Sequence, residues 1–517
     1  MKKIIFLITA IFFASLSRLP AEDKVLPLSP DKIKQILADF EQYAQKAIQE
    51  WQVPGMAIGI IQGDSLIYAK GFGVKALGGT DPVTTKTIFQ IGSTTKAFTT
   101  TIAGMLVDEN KFKWDDGVVG MLPDFMKYDP WVTREFEVVD LMSQHSGMPG
   151  YAGDSLAILG YNRDNIRHAI RYIKPVTSFR SQYAYVNNLF LVASALIEKK
   201  SGVSWEENVR ERIFKPLGMN NSSVDMQSFL QAKDVASLHV KKNGKVMALP
   251  KEWEYLDWSY TYGPAGAINS NIEDMAKWVS FQINNGKVKD KQLISEKNLE
   301  FLRSPKTIIK TSPPGENIYY CMGWLYAESK PYPVIWHNGG TSGMKTMVAF
   351  VPQANIGIVI LSNLITGLPE VLAFKFFEQY FDKPPKVSVS EALAEADKLE
   401  KEAEAKKPAH PKSSCAPMAL DKYTGDYAND IYGKINISVV DSKLVLTIGP
   451  KNVKMPFAPW DKDVFMVSWP VCGLDDDSGF AIFEVSPEGE VTGVNLDFLD
   501  TCESCGVFKK IAPKASL

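Results

Sequence analysis

Hydrophobic and polar positions divide this chain into three stretches. Residues 31–52 carry apolar positions at helical spacing, and Met56-Ala57-Ile58-Gly59-Ile60-Ile61 then runs almost unbroken. That run faces Leu66-Ile67-Tyr68-Ala69 across Gln62-Gly63-Asp64-Ser65, so Met56 to Gly73 reads as a β-hairpin. A helix is expected over 97–109, with Phe98, Ile102, Met105 and Leu106 as its apolar stripe. Residues 110–330 mix helices, such as Asn188 to Lys200 and Ile272 to Asn284, with Gly, Pro and Asn breaks. Strand patterns return at Val334-Ile335-Trp336, Thr346 to Val351 and Ile356 to Leu361. Pro352-Gln353-Ala354-Asn355 is a good turn between the last two, and a helix over about 368–381 closes the region. Strands that bracket a helix-rich middle predict an α+β fold. One antiparallel sheet would pack between helices, its N- and C-terminal strands side by side, with a helical subdomain inserted.

Beyond residue 384 the pattern changes. Glu391 to Lys407 is almost entirely Glu, Lys, Ala, Leu and Asp, and Pro408 to Ser414 is polar, so 385–417 reads as a helical or flexible linker. From 418 to 517 short alternating runs appear, among them Lys434-Ile435-Asn436-Ile437-Ser438-Val439 and Leu444-Val445-Leu446-Thr447-Ile448. They predict a small all-β barrel or sandwich.

Composition narrows the function. The chain has 517 residues, enough for two or three domains, and its 22% charged residues are ordinary for a globular protein. A net charge of −2 gives no electrostatic case for nucleic acid or an anionic membrane as partner. Lys2-Lys3 ahead of the apolar run Ile4 to Leu16 reads as a secretory signal over 1–21. The run is too short to span a bilayer comfortably, so no transmembrane domain is expected beyond it. The chain is thus expected to be exported, periplasmic or secreted. Export makes Cys415, Cys472, Cys502 and Cys505 disulfide candidates with three pairings open, and Cys321 a buried thiol. Cysteine and histidine spacing offers no metal site, and no cofactor is called for.

The chemistry begins at Gly92-Ser93-Thr94-Thr95-Lys96. Ser-x-x-Lys occurs three times: Ser29 with Lys32, Ser93 with Lys96, and Ser342 with Lys345. Ser29 precedes Pro30 and reads as a helix cap. Ser342 lies in a Gly-rich turn or strand end. Only Ser93 opens an apolar helix, which places its hydroxyl and the Lys96 amine on one side of that helix. A serine hydroxyl needs a base within reach, and lysine can be that base. Tyr185-Val186-Asn187 opens the helix running to Lys200. Tyr185 could share a proton with a lysine, and Asn187 could orient the base or contact a substrate amide. Trp336-His337-Asn338-Gly339-Gly340 ends an apolar strand, where glycines would let a substrate backbone lie close. No Gly-x-Ser-x-Gly elbow occurs, which argues against a Ser-His-acid hydrolase.

In order, Ser-x-x-Lys, Tyr-x-Asn and His-x-Gly resemble the serine β-lactamase and penicillin-binding-protein superfamily. The resemblance is nearest to its class C-like branch of esterases, D-aminopeptidases and D,D-carboxypeptidases. Leu141-Met142-Ser143-Gln144-His145-Ser146-Gly147-Met148-Pro149, Phe214-Lys215-Pro216-Leu217-Gly218-Met219 and Gly263-Pro264-Ala265-Gly266 leading into Asp274-Met275-Ala276-Lys277-Trp278 are similar to segments of that branch. The resemblance covers about 35–380, inside a hydrolase domain expected over 22–384. It implies a β-lactamase/transpeptidase-like fold and an acyl-enzyme on Ser93, with Lys96 and Tyr185 as the base system. It further implies an oxyanion hole from the backbone of Ser93 and Gly340, with Asn187, His337 and Gly339 beside the substrate. His337 stands where many members carry lysine, which favours a peptidase or esterase over an efficient β-lactamase. Tyr423-Thr424-Gly425-Asp426-Tyr427 is similar to the start of lipocalin-like barrels appended to such hydrolases. The implied partner is a small peptide, ester or β-lactam-like molecule; a homo-oligomer stays open.

Overall fold

The computed structural model describes residues 28–242, 244–311, 317–384, 387–405, 408–411, 413–468, 478–499 and 504–512. The expected signal segment, Cys472 and Cys502 lie outside the described residues. The chain forms two compact units that do not follow chain order. One joins the described residues up to Asp115 with Ala193–Lys407; the other joins Asp116–Val192 with Pro408–Leu517.

In the first unit α1 (Pro30–Glu50) leads into the hairpin β1 (Gly55–Gln62) and β2 (Ser65–Gly73). Ser29 caps α1, accepting from the Lys32 N–H at 3.2 Å ahead of Pro30, which is the role its sequence suggested. A 3-10 turn at Gly92–Thr94 passes into α2 (Thr95–Asp108), and α3 (Ile272–Ile283) comes later. Six strands follow: β3 (Thr307–Lys310), β4 (Ile318–Tyr320), β5 (Leu325–Ala327), β6 (Val334–Gly340), β7 (Lys345–Val351) and β8 (Ile356–Ser362). Helix α4 (Leu368–Tyr380) packs back on the sheet, and α5 (Val389–Ala405) makes most of the expected linker helical.

These strands make one antiparallel sheet of eight in the order β2-β1-β8-β7-β6-β5-β4-β3. β1 pairs with β8, Met56 opposite Ser362, so the first and last parts of the fold do share the sheet. Helices cover both faces. That is why β1, β7 and β8 read as continuous apolar runs and not as alternating ones. On one face α4 packs with α1 (Phe40 and Phe376 rings 5.5 Å apart) and its Phe374 meets Trp336 of β6. On the other, α3 lies against β1 and β8, and Trp278 of α3 stacks on Phe98 of α2 at 3.8 Å.

The second unit contains a closed barrel of eight strands, which decides between the barrel and the sandwich. Its strands are β9 (Gly425–Asn429), β10 (Gly433–Val440), β11 (Lys443–Ile448), β12 (Val453–Asp461), β13 (Val464–Ser468), β14 (Ser478–Val485), β15 (Val491–Leu496) and β16 (Val507–Lys510). Pairing of Tyr427 with Lys510 closes the ring. Alternate residues point inward; Tyr427, Ile435, Leu446, Phe457, Phe465 and Phe508 are all buried, filling the interior.

The cysteines divide differently from the expectation. Cys321 is a buried free thiol, pushed up to about 12 by burial. Cys505 is disulfide-bonded, but Cys415 is free and exposed, so it leaves the set of disulfide candidates. Its chain neighbourhood is fixed by hydrogen bonding: its N–H donates to Asp461 at 2.8 Å, and its carbonyl accepts from Lys462.

The Phe98–Trp278 stack locks α2 to α3. Phe98→Ala should cost about 3–5 kcal/mol, the usual scale for deleting a buried aromatic. A urea melt followed by circular dichroism will show the fall in midpoint.

Candidate active site

Ser93 sits in the 3-10 turn and Lys96 in the first turn of α2. Gly92 enters this turn at φ +52°, a left-handed conformation that favours glycine. The Thr94 hydroxyl donates back to the Ile91 carbonyl at 2.9 Å and tightens the bend. Lys96 is fully buried, its Nζ 3.2 Å from Ser93 Oγ and 3.0 Å from the Ala265 carbonyl. Ala265 belongs to the short turn Gly263–Gly266, which is pinned to α2 because Thr99 Oγ1 donates to the Pro264 carbonyl at 2.7 Å. Carbonyl and hydroxyl thus fix the amine in a place that excludes bulk water. This is the arrangement a serine needs to lose its proton.

The end of β6 lies directly on this turn. A Cβ at Gly339 would fall 1.9 Å from the Ile91 carbonyl oxygen and 3.1 Å from the Ser93 nitrogen. A Cβ at Gly92 would fall 2.6 Å from the Gly340 nitrogen. Only bare backbone fits on both sides, so the Ser93 and Gly340 main chains meet across a glycine-on-glycine contact. The sequence suggested that these glycines admit substrate. The Cβ direction of Gly339 is filled by the chain's own backbone, whereas a Cβ at Gly340 would have no neighbour nearer than 3.9 Å.

His337 alternates onto the same sheet face as Gly339, with Tyr320 edge-on to its ring at 6.0 Å. Its imidazole is 1% exposed and is pushed down to about 3, first by burial, then by the positive charges of Lys96 and Lys345. It is therefore neutral at physiological pH. On the opposite face, Glu370 of α4 ties the strand down. It accepts from Asn338 Nδ2 at 2.7 Å and pairs with Lys345 Nζ at 2.7 Å, both charged side chains nearly fully buried.

Tyr185 and Asn187 belong to the second unit and are built on a separate platform. The residue that builds it is Gln144, held at φ +60°. Its side chain accepts from the Val186 N–H at 2.6 Å and donates to the Val186 carbonyl at 3.2 Å. Its own carbonyl accepts from the Ala184 N–H. Tyr151 donates its N–H to the Tyr185 carbonyl at 2.7 Å and lays its ring 5.4 Å from the Tyr185 ring. Asn187 Nδ2 donates to Asp154 at 2.9 Å, with both side chains buried. Beneath, Asp140 joins His145 at 2.8 Å and Arg180 at 2.6 Å. The run from Leu141 to Pro149 is thus the support of the Tyr-x-Asn loop.

A family model described as Beta-lactamase matches residues 40–372. The chain belongs to that family. A second model, a domain of unknown function (DUF3471), matches 409–505. The chain is similar to the unguisins hydrolase ungD' of Aspergillus campestris, 27% identical across 89% of each protein. It is also similar to penicillin-binding protein 4 of Amycolatopsis lactamdurans, 25% identical over 61% of this chain and 82% of that one. Among solved structures, the octameric penicillin-binding protein homologue from Pyrococcus abyssi aligns with a TM-score of 0.60 at 23% identity, over 92% of this chain and all of that one. The structure of SurE with D-Leu aligns with a TM-score of 0.54 at 18% identity, over 93% of this chain and all of that one. Both share the fold.

Within the family fold, the structure brings Ser93, Lys96, His337, Gly339 and Gly340 together in one unit. It sets Tyr185 and Asn187 on one loop in the other. Sequence reasoning missed Lys345, Glu370, Gln144 and Asp154. Lys345 was visible only as the end of a third Ser-x-x-Lys, whose Ser342 proves to accept a bond from Trp258 Nε1 at 2.8 Å in the β6–β7 turn. Glu370 left one signal, a carboxylate within an apolar helix. Gln144 was visible only inside the Leu141 to Pro149 resemblance, and nothing in the pattern marked Asp154.

Two outcomes follow from this geometry. Gly339→Ala should slow any reaction at Ser93 by at least ~10²-fold, the scale of an ångström's misplacement, while Gly340→Ala should be mild. Rates of Ser93 modification in the two variants test this. His337 has a depressed folded pKa, so the unfolded chain takes up a proton near pH 6.5 that the folded chain refuses until about 3. Its contribution to stability is present above pH 6.5 and is lost as pH falls toward 3. Thermal melts between pH 7 and 4 should therefore decline less steeply in His337→Gln than in wild type.

Proposed function

We propose that this protein is an exported serine hydrolase that forms an acyl-enzyme on Ser93, acting as a peptidase or esterase on a small acyl substrate. The observation that carries the proposal is the buried Lys96 Nζ held 3.2 Å from Ser93 Oγ at a helix start. In its neutral form Lys96 takes the hydroxyl proton as Ser93 Oγ bonds to the substrate carbonyl carbon. The bond to the leaving group breaks, and the proton passes to that group. Water then hydrolyses the ester and restores Ser93. Developing negative charge on the carbonyl oxygen is met by the N–H groups of Ser93 and Gly340. Tyr185 is assigned the second proton carrier and Asn187 the amide contact, as in the family the chain belongs to.

Substrate class follows from His337 and from the relatives. A neutral imidazole offers a substrate carboxylate a hydrogen bond but no charge, which disfavours efficient β-lactam turnover. One relative is named as a hydrolase of unguisins and one structural neighbour was solved with D-Leu. The first supports a hydrolase reading for this chain. Export rests on Lys2-Lys3 and the apolar run after it.

One experiment tests these assignments. The protein is purified from its native host, treated with a fluorophosphonate and with labelled penicillin, and the adduct is located by peptide mass. The expected adduct is on Ser93, is absent in Ser93→Ala, and forms at least ~10²-fold more slowly in Lys96→Ala, the scale of a lost general base. An adduct at another serine overturns the nucleophile, and none in folded protein leaves a binding module on this fold. The same spectra read the N-terminus; an intact Met1 in exported material, or retention in the cytoplasm, would sink the signal assignment.

A further inference from the structure

Asn187 is held by Asp154, and Asp154 opens a helix of only five residues, Asp154–Ile158. So short a helix has little stability of its own. What holds it is the barrel. Ser155 Oγ, the residue after Asp154, is 2.8 Å from Tyr432 Oη in the turn between β9 and β10. Tyr161 donates its hydroxyl to the Tyr432 carbonyl. The turn between β11 and β12 grips the segment from its other end, where the Lys451 N–H donates to the Leu159 carbonyl at 3.1 Å.

Glycines on both sides let this grip close. Gly160 sits at φ +93°, and a Cβ there would fall 2.6 Å from Lys451 Cγ. Gly449 sits at φ +72°, and a Cβ there would fall 2.6 Å from the Leu159 carbonyl oxygen. Tyr432 is itself rigid. It is 1% exposed, its N–H donates to Asn429 Oδ1 at 2.7 Å, and its ring lies 6.1 Å from that of Phe508 in the barrel interior. The barrel therefore clamps Ser155 to Tyr161 at both ends, immediately after the carboxylate that orients Asn187.

We propose that the C-terminal barrel is a brace that holds Asp154, and through it Asn187, in working position, so that Tyr432, Gly160 and Asp154 are positioning residues for the hydrolase site. This rests on the reading of Asn187 as a group that meets substrate or base. It gives the barrel a part in catalysis through the segment it holds. Hydroxyls at 161 and 432 and bare backbone at 160 and 449 transmit the constraint.

The test uses the full chain and two kinds of variant. Tyr161→Phe combined with Tyr432→Phe removes both hydroxyls while keeping ring volume; Gly160→Val wedges the segment away from Lys451. Amide hydrogen exchange is followed by mass over 151–158 and 184–188. In parallel, Ser93 modification is timed in the wild-type and Asn187→Ala backgrounds, with whichever of the fluorophosphonate and labelled penicillin reacts. Exchange should rise about tenfold or more in both segments, the signature of local opening. Modification should slow about tenfold in the wild-type background, short of the ~10² for an ångström's misplacement, and stay unchanged in the Asn187→Ala background. Unaltered exchange at 184–188, or rate losses equal in both backgrounds, would overturn the brace. If neither reagent modifies the wild type, the reading of Ser93 fails, and the exchange measurement still decides whether the barrel holds Asn187.

Discussion

The end of β6 against the turn before α2 is the contact on which the rest of the first unit depends. Two backbone segments, Ile91-Gly92-Ser93 and Gly339-Gly340, lie so close that a single methyl group on Gly339 would overlap a carbonyl oxygen. Such an approach is stable only if both partners are held from behind. The turn is held by α2, whose Phe98 stacks on Trp278, and by Thr99 bonded to the Pro264 carbonyl. The strand is held by its ladder to β7 and by Glu370 gripping Asn338. Backbone contact at this range cannot adapt by rotamer change, so it fixes the Ser93 and Gly340 main chains against each other.

Charge around that strand end is divided by the sheet. Below it, Lys345 meets Glu370 in a dry pair, and removing either partner would strand the other as a buried charge. Above it, Lys96 Nζ lies within hydrogen-bond reach of the Ser93 hydroxyl and the Ala265 carbonyl. His337 lies on the Lys96 face and feels both lysines, and burial with those charges keeps it neutral. The pair on one face lets the strand carry a lysine near the site without adding a mobile cation to it.

How much of this was legible in the sequence follows from the range of each interaction. The β1–β2 hairpin, α2, α4 and the strands 334–362 were readable because local periodicity and turn residues specify them. Their adjacency in one sheet was readable from the bracket of strands about a helical middle. Ser93 was separable from Ser29 and Ser342 by the apolar helix that follows it. The purpose of Gly339 was not readable. A glycine announces close approach but not what approaches, and on the Cβ side of Gly339 it is the Ile91 carbonyl. The clamping role of Gln144 was not readable from its segment's resemblance, and Asp154 left no signal, since a polar side chain that clamps backbone elsewhere in the chain looks like any surface residue. Nor could spacing tell that Cys415 stays reduced while Cys505 is bonded.

Those unreadable contacts share a property: each joins residues far apart in the chain. Ser155 and Tyr432 are 277 positions apart, and Lys96 and Ala265 are 169 apart. Contacts of such separation close large loops, so they form late and depend on elements that have already condensed. Local pieces, the Ser93 turn and the Tyr185 loop, can thus take approximate shape early, while their exact placement waits for β6 in one unit and for the barrel in the other. In the second unit this gives an order to the structure. Gln144 and Tyr151 shape the Tyr185 loop from within 42 residues, whereas the segment after Asp154 is held by turns of the β9–β16 ring. The barrel packs aromatic rings, among them Tyr423, Phe457, Phe465 and Phe483, in its interior. Its rigidity is what it can offer, and the turns at Tyr432 and Gly449 are where that rigidity reaches the segment beside Asn187.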